Sequence, residues 1–211
     1  MDLRCISADS HIVEPPNCYA DFIEPKYRDT APRVVRHADG YDTYWVRDLP
    51  RTTTVGLLAS AGLKDHAKQD FIARATFDQL PAGGWDPLAR IEAQQRDGLD
   101  AEVIYASLGM VLCSHPDYAY MDACFQAYNR WLQIFCGAAP GRLFGLAQTA
   151  VTSVDAAIKD FERAKAMGFV GMMMPGNPQQ GDYDQPEYDS LWQCAGALDP
   201  PICFHILTLR G

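Results

Sequence analysis

"CISADSHIVEPP", residues 5 to 16, carries an acid and a histidine two residues apart, Asp9 and His11, and then breaks at Pro15 and Pro16. Residues two apart on a strand point the same way. A carboxylate oxygen and an imidazole nitrogen so placed can converge on one cation at about 2.0 to 2.2 Å. A third residue of this kind is His205, near the end of the apolar run "PICFHIL". Two imidazoles and a carboxylate with an open position make a catalytic divalent-metal site, able to polarise a substrate oxygen or to acidify a water. The plain alternatives are a turn cap with a surface histidine at Asp9 and His11, and a hydrogen-bonded core histidine at 205. Joint placement on two strand ends favours ligation.

Strand ends matter because of the elements around them. "LRCISA" (3 to 8) reads as a short buried strand, with Asp9 and His11 just beyond it. Residues 12 to 85 form an irregular excursion. It contains a hairpin signal around Asp39-Gly40 in "RVVRHADGYDTYWV" and short helical pieces before "PAGG". From residue 86 the pattern is regular. Helices are predicted over 86 to 98, 118 to 139, 153 to 168 and 185 to 198, with Asp86 and Ser153 as caps and Gly98 as a stop. Strands are predicted over 101 to 107, 142 to 150, 169 to 175 and 201 to 207. Strands that are near-continuous apolar runs alternating with helices predict a parallel α/β fold, in which chemistry collects at the C-terminal strand ends. No glycine-rich phosphate loop follows a strand.

The formal net charge of -9 argues against nucleic acid, which calls for a basic stripe. No apolar run approaches about 18 residues, and no basic-apolar-small pattern opens the chain, so neither a membrane span nor a signal peptide is expected. The seven cysteines include no C-x-x-C pair and read as reduced thiols, mostly small core residues, in a cytoplasmic protein.

"ISADSHIVEPPNCYADFIEPKYRDTAPRVV" resembles the opening of the amidohydrolase-related branch of the metal-dependent TIM-barrel superfamily. That branch includes decarboxylases of aminocarboxymuconate semialdehyde and of aromatic acids such as resorcylate. "DPLARIEAQQRDGLDAEVIYAS" and "QPEYDSLWQCAGALDPPICFH" resemble its segments around the second strand and before the fifth. The resemblance implies a (β/α)8 barrel with Asp9 and His11 as the opening metal-binding motif and His205 as the fifth-strand ligand. It also implies one divalent metal, Zn²⁺ first and Mn²⁺ next, and a small carboxylated aromatic or enolic substrate. Two-metal members carry a bridging lysine or glutamate on the fourth strand. "FVGMMMP" has neither, which favours one ion and carbon–carbon cleavage over hydrolysis.

Only five βα units are legible over residues 1 to 211, against eight strands in such a barrel. The expectation is one incomplete barrel domain with the 12 to 85 region inserted in it. The family's acid/base histidine and its last aspartate ligand would lie beyond residue 211, so the catalytic residues are unknown. Open edges on the first and fifth strands predict a homo-oligomer. The alternative is an inactive barrel remnant that acts only by self-association.

Other residues weigh less. Cys113-Ser114-His115 offers a thiol and a base, but a loop histidine is the simpler reading. Cys203 reads as a core thiol, and Asn129, Arg130 and Trp131 as packing and surface. Glu14 either orients His11 from behind or makes a loop salt bridge. Tyr41, Tyr44 and Trp45 either lid the barrel mouth or bury themselves. His37 and His66 receive no role.

Overall fold

The computed structural model describes residues 4–50 and 53–209. The first strand is β1 (Ile6–His11). Then come β2 (Arg33–Arg36), β3 (Asp42–Trp45), β4 (Thr53–Thr54) and α1 (Asp65–Arg74). The regular part runs α2 (Pro87–Asp97), β5 (Ala101–Tyr105), α3 (Leu108–Leu112), α4 (Tyr118–Gly137), β6 (Leu143–Gln148), α5 (Val154–Ala166), β7 (Gly171–Met174), α6 (Asp189–Leu198) and β8 (Ile202–Phe204).

Strands β1, β5, β6, β7 and β8 lie side by side in that order, all parallel. They form a curled half-barrel sheet, a mixed α/β architecture matching five units of a TIM barrel. Helix α4 packs on β6 and α5 on β7. Met121, Cys124, Phe125, Tyr128, Leu132 and Phe135 of α4 are buried at helical spacing, the stripe that a helix needs to cover a sheet. The caps act as their residue types dictate. Asp86 accepts from the Ala89 N–H, Ser153 accepts from the Ala156 N–H, and Gly98 ends α2 at a φ of 71°.

The segment between β1 and α2 holds a second, antiparallel sheet of β2, β3 and β4. Its hairpin turns at Gly40, where φ is 89°. An ion pair of Arg36 with Asp42 crosses the hairpin, and Asp42 also accepts the Phe77 N–H at 2.8 Å, just past α1.

The strands at 101 to 107, 142 to 150 and 169 to 175 are each shorter than expected by a few residues, and the first and last strands differ in ways that bear on the site. The first strand does not stop at residue 8. It pairs with β5 from Ile6↔Ala101 through His11↔Tyr105, so Asp9 and His11 lie within the strand rather than after it. Its expected start at Leu3 lies outside the described residues. Pairing steps from Ser7↔Glu102 to Ser10↔Ile104, three residues against two, which makes a β-bulge around Asp9. The last strand is shorter than 201 to 207. It ends at Phe204, and residues 206 to 207 turn.

Candidate metal centre

Register places the site on one side of the sheet. Glu102 of β5 faces α2, where Arg90 and Gln94 bond it. Tyr105, three residues on, therefore faces the opposite, concave side, as does His11, its partner in the ladder. Along the sheet Gln148 pairs with Met173 and Met173 with Cys203, so His205, two residues beyond Cys203, continues on the same side.

Asp9, His11 and His205 come together there. Their ligand atoms lie within 4.8 Å of one another. His11 Nε2 stands 3.2 Å from His205 Nε2 and 3.3 Å from Asp9 Oδ1, and His205 Nε2 stands 3.4 Å from the same oxygen. A triangle of these sides has its centre about 1.9 Å from each corner, close to the length of a metal–ligand bond.

Hydrogen bonding fixes what those atoms offer. His11 Nδ1 lies 3.0 Å from the Ala106 carbonyl, and His205 Nδ1 lies 3.1 Å from the Ile206 carbonyl. A carbonyl only accepts, so both Nδ1 atoms donate, and each ring in its neutral form presents an Nε2 lone pair. Two lone pairs and a carboxylate oxygen then face one another with no hydrogen between them, an arrangement that calls for a cation. Burial, and then the neighbouring His205, hold the His11 imidazole below its usual pKa range, so a second proton on that ring is disfavoured. The donor set suits a divalent ion.

Residues that the sequence reading passed over hold this arrangement. The Glu102 carboxylate takes Arg90 Nε at 2.7 Å and Nη2 at 2.9 Å, Gln94 Nε2 at 2.7 Å and Ser10 Oγ at 2.9 Å. Arg90 Nη1 also donates to the His11 carbonyl at 3.1 Å. Burial alone would raise the Glu102 pKa, but these bonds and the Arg90 charge outweigh it and the group titrates low. The signal was a lone acid inside the apolar run "AEVIY". Tyr105 packs its ring 5.7 Å from that of His11 and 5.4 Å from that of His205. Burial and a hydrogen bond with Cys203 raise its pKa, so the phenol keeps its proton at neutral pH.

Glu14 is fully buried and, among the described residues, makes no salt bridge. Its Oε1 accepts the N–H groups of Ser107 (3.0 Å) and Gly109 (3.2 Å) at the start of α3. Burial raises its pKa to about 6. Gly109 has to be glycine here, since a Cβ would meet Gln148 Oε1 at 2.0 Å.

The remaining candidates have structural partners. His115 is buried, with Nε2 2.8 Å from the Arg47 carbonyl and Nδ1 accepting the Asp117 N–H. Cys113 Sγ donates to the Gly109 carbonyl. Asn129 is not a surface residue. It is buried and pairs doubly with the Gln148 backbone, at 2.8 and 2.9 Å. Arg130 bonds the Phe22 carbonyl, and Trp131 stacks on Phe135. Tyr44 is buried with its hydroxyl on the Glu14 carbonyl, Tyr41 stacks on His37, and Trp45 lies under the Arg33 guanidinium. His66 is exposed on α1, and Cys5, unlike a core thiol, is exposed as well.

Comparison with known proteins agrees with this architecture. The family profile described as Amidohydrolase matches residues 18–209, which include His205 and begin after Asp9 and His11. A γ-resorcylate decarboxylase of Rhizobium radiobacter is 32% identical over 77 residues, 33% of this chain and 24% of that protein. An amidohydrolase structure from Mycobacterium avium subsp. paratuberculosis K-10 superposes with a TM-score of 0.74 at 16% identity, over 98% of this chain and 59% of that one. A 5-carboxyvanillate decarboxylase from Novosphingobium aromaticivorans, solved with manganese, gives 0.57 at 14% identity, over 97% and 50%. The chain thus spans about a quarter of the curated relative's length and between half and three-fifths of these solved structures. With most of its length matched by that profile and its five-stranded half-barrel shared with these structures, the chain belongs to the amidohydrolase family.

Proposed function

We propose that this chain forms the metal-holding part of a divalent-metal-dependent carboxy-lyase, with Asp9, His11 and His205 as ligands to a single ion and a small hydroxylated aromatic acid as substrate. The observation that carries the reading is the facing triangle of one carboxylate oxygen and two imidazole lone pairs. An ion held there would supply Lewis-acid polarisation of the substrate's carboxylate or an adjacent oxygen. Zn²⁺ and Mn²⁺ both suit imidazole with carboxylate. Manganese gains weight because it is the ion in the solved 5-carboxyvanillate decarboxylase. Decarboxylation is favoured over hydrolysis by two observations. Relatives and neighbours include decarboxylases of γ-resorcylate, 2,6-dihydroxybenzoate and 5-carboxyvanillate. The β7 stretch, Gly171–Met174, offers no lysine or glutamate to bridge a second ion.

The chain's own residues do the following. Arg90 and Glu102 pin the ligand-bearing end of β1 from the helix side. The Ala106 carbonyl holds the His11 proton away from the site. Tyr105 keeps a phenolic proton beside both imidazoles. The inserted hairpin is seated by Tyr44 on the Glu14 carbonyl.

The edges β1 and β8, with the turn that follows β8, also carry exposed apolar side chains: Ile6 (53%), Phe204 (54%), Ile206 (76%) and Leu207 (68%). They support self-association of the 211-residue chain. Among the described residues no helix is long and apolar enough to cross a membrane.

Titration of metal-stripped protein with Zn²⁺ and with Mn²⁺ tests the centre. One equivalent bound, lost in His11→Ala and in His205→Ala, is expected; two equivalents, or none, would overturn it. Incubation of the loaded protein with 2,6-dihydroxybenzoate, and separately with an aryl ester, tests the chemistry. Any turnover is expected to release CO₂ from the acid, and ester cleavage without CO₂ would move the reading to hydrolysis.

A further inference from the structure

We propose that Glu14 is a positioning residue for this metal centre: it fixes the turn at residues 106 to 109, and through that turn it fixes the proton and the aim of His11. The inference rests on the metal-centre reading and adds a residue outside the ligand set.

The relay is continuous, and every link has a distance. Glu14 Oε1 accepts the Ser107 N–H at 3.0 Å and the Gly109 N–H at 3.2 Å. Ser107 Oγ donates to the Ile12 carbonyl at 2.6 Å, which ties the turn to the residue after His11. The carbonyl directly before Ser107, that of Ala106, accepts from His11 Nδ1 at 3.0 Å. With Nδ1 protonated, His11 Nε2 is the lone-pair nitrogen, and it is the atom 3.3 Å from Asp9 and 3.2 Å from His205. Ala106 O and Ser107 N belong to one peptide plane, so the bond that fixes the N–H orients the carbonyl. Glu14 is fully buried and its other oxygen, Oε2, has no hydrogen-bond partner among the described residues. Burial of a carboxylate in that state is costly. Core packing alone would be served better by an apolar side chain of the same shape. Second-sphere groups that fix the tautomer of a ligating histidine commonly govern metal affinity.

The contribution required of Glu14 is reach and an acceptor oxygen, not charge. That requirement ranks three variants. Glu14→Gln keeps the length and an acceptor oxygen. Glu14→Asp keeps the charge but withdraws it by one methylene. Glu14→Leu keeps neither oxygen. Two readouts are taken on each folded variant: affinity for Zn²⁺ by titration, and the His11 tautomer in the metal-free protein from long-range ¹⁵N–¹H spectra, assigned with His11→Gln.

The expected order is Glu14→Gln near wild type, then Glu14→Asp, then Glu14→Leu, the last with affinity lower by about 10- to 100-fold. The His11 Nδ1–H tautomer should persist in Glu14→Gln and become mixed in Glu14→Asp. The reverse order, with Asp retaining affinity and Gln losing it, would make Glu14 an electrostatic group and overturn the proposal. So would a cooperatively folded Glu14→Leu or Glu14→Asp with unchanged affinity and tautomer. Should Glu14→Leu not fold, the Gln and Asp variants decide. Should the wild type bind no Zn²⁺ or Mn²⁺, the metal reading fails, and the tautomer readout alone decides whether Glu14 positions His11.

Discussion

Two buried glutamates brace the first strand, one beside it and one just past its end, and they are opposites. Glu102 sits on the helix side with an arginine, a glutamine and a serine on its carboxylate, and its pKa is held low. Glu14 lies just past β1, against the start of α3. It has backbone N–H groups and one oxygen unpartnered among the described residues, and its pKa is raised to about 6. Both are nearly inaccessible, Glu14 the more deeply buried of the two. Their partners separate them further: a full positive charge outweighs desolvation, and two or three amide dipoles do not. The helix side of β1 is therefore built for stability. The end that carries the ligands tolerates strain in exchange for orientation.

The largest effect expected from this contrast is on the helix side. Glu102→Ala leaves Arg90 buried without its partner and should lower unfolding free energy by about 3 to 5 kcal/mol in denaturant titrations. A loss no greater than that of Glu14→Ala would erase the distinction between the two braces. Next is the metal itself. Zn²⁺ at 100 times its dissociation constant should stabilise the wild type by about 2.7 kcal/mol in the same titration, and should do nothing for His11→Ala or His205→Ala.

A smaller effect separates the glutamates by pH. The folded pKa of Glu14 is raised from its ordinary 4.5 to about 6. Its contribution to stability is therefore full below pH 4.5 and is lost as pH rises through 6, about 2 kcal/mol for a shift of about 1.5 units. Glu14→Gln should remove that loss, which shows as a flatter stability profile between pH 4.5 and 7 than the wild type has. Glu102 has the opposite sign. Its folded pKa is lowered, so its contribution is present above the ordinary value and is lost only as pH falls through the folded one. Glu102→Gln should accordingly flatten the acid limb instead. Smallest of all, Tyr105→Phe removes one hydroxyl and its bond with Cys203, a loss of about 1 kcal/mol. A loss several times larger would assign Tyr105 to the scaffold rather than to the site.

The sequence carried the parallel α/β pattern, the caps at Asp86 and Ser153, the hairpin turn at Gly40 and the Asp9–His11–His205 grouping. The first three rest on short-range rules: strand period, cap chemistry, a glycine at positive φ. His205 meets His11 across 194 residues, and that grouping was legible only through the strand-end rule and the family resemblance. Of the braces, Glu14 was legible only as one of two alternatives and Glu102 not at all, because the contacts that tie them to β1 and to the start of α3 span the chain. Glu102 meets Ser10 across 92 residues, and Glu14 meets Ser107 across 93. The first strand was placed too early because its apolar residues stop at 8, whereas its pairing is decided by β5 and continues through His11. Asn129 read only as packing or surface, because the strand end that it caps, Gln148, lies 19 residues on.

The bulge in β1 has a consequence for sequence alignment and for engineering. Ser7 and Ser10 face the same way, their hydroxyls 2.7 Å apart, although they are an odd number of residues apart. The even-odd phase of the strand is reset between them. Ala8 can then be deleted without turning Asp9 or His11 over, since a strand lacking it alternates regularly from Ser7 onward. Deleting Ser10 instead would put Asp9 and His11 on opposite faces. A relative with one residue fewer here should therefore carry its gap at residue 8, ahead of the ligands and never between them.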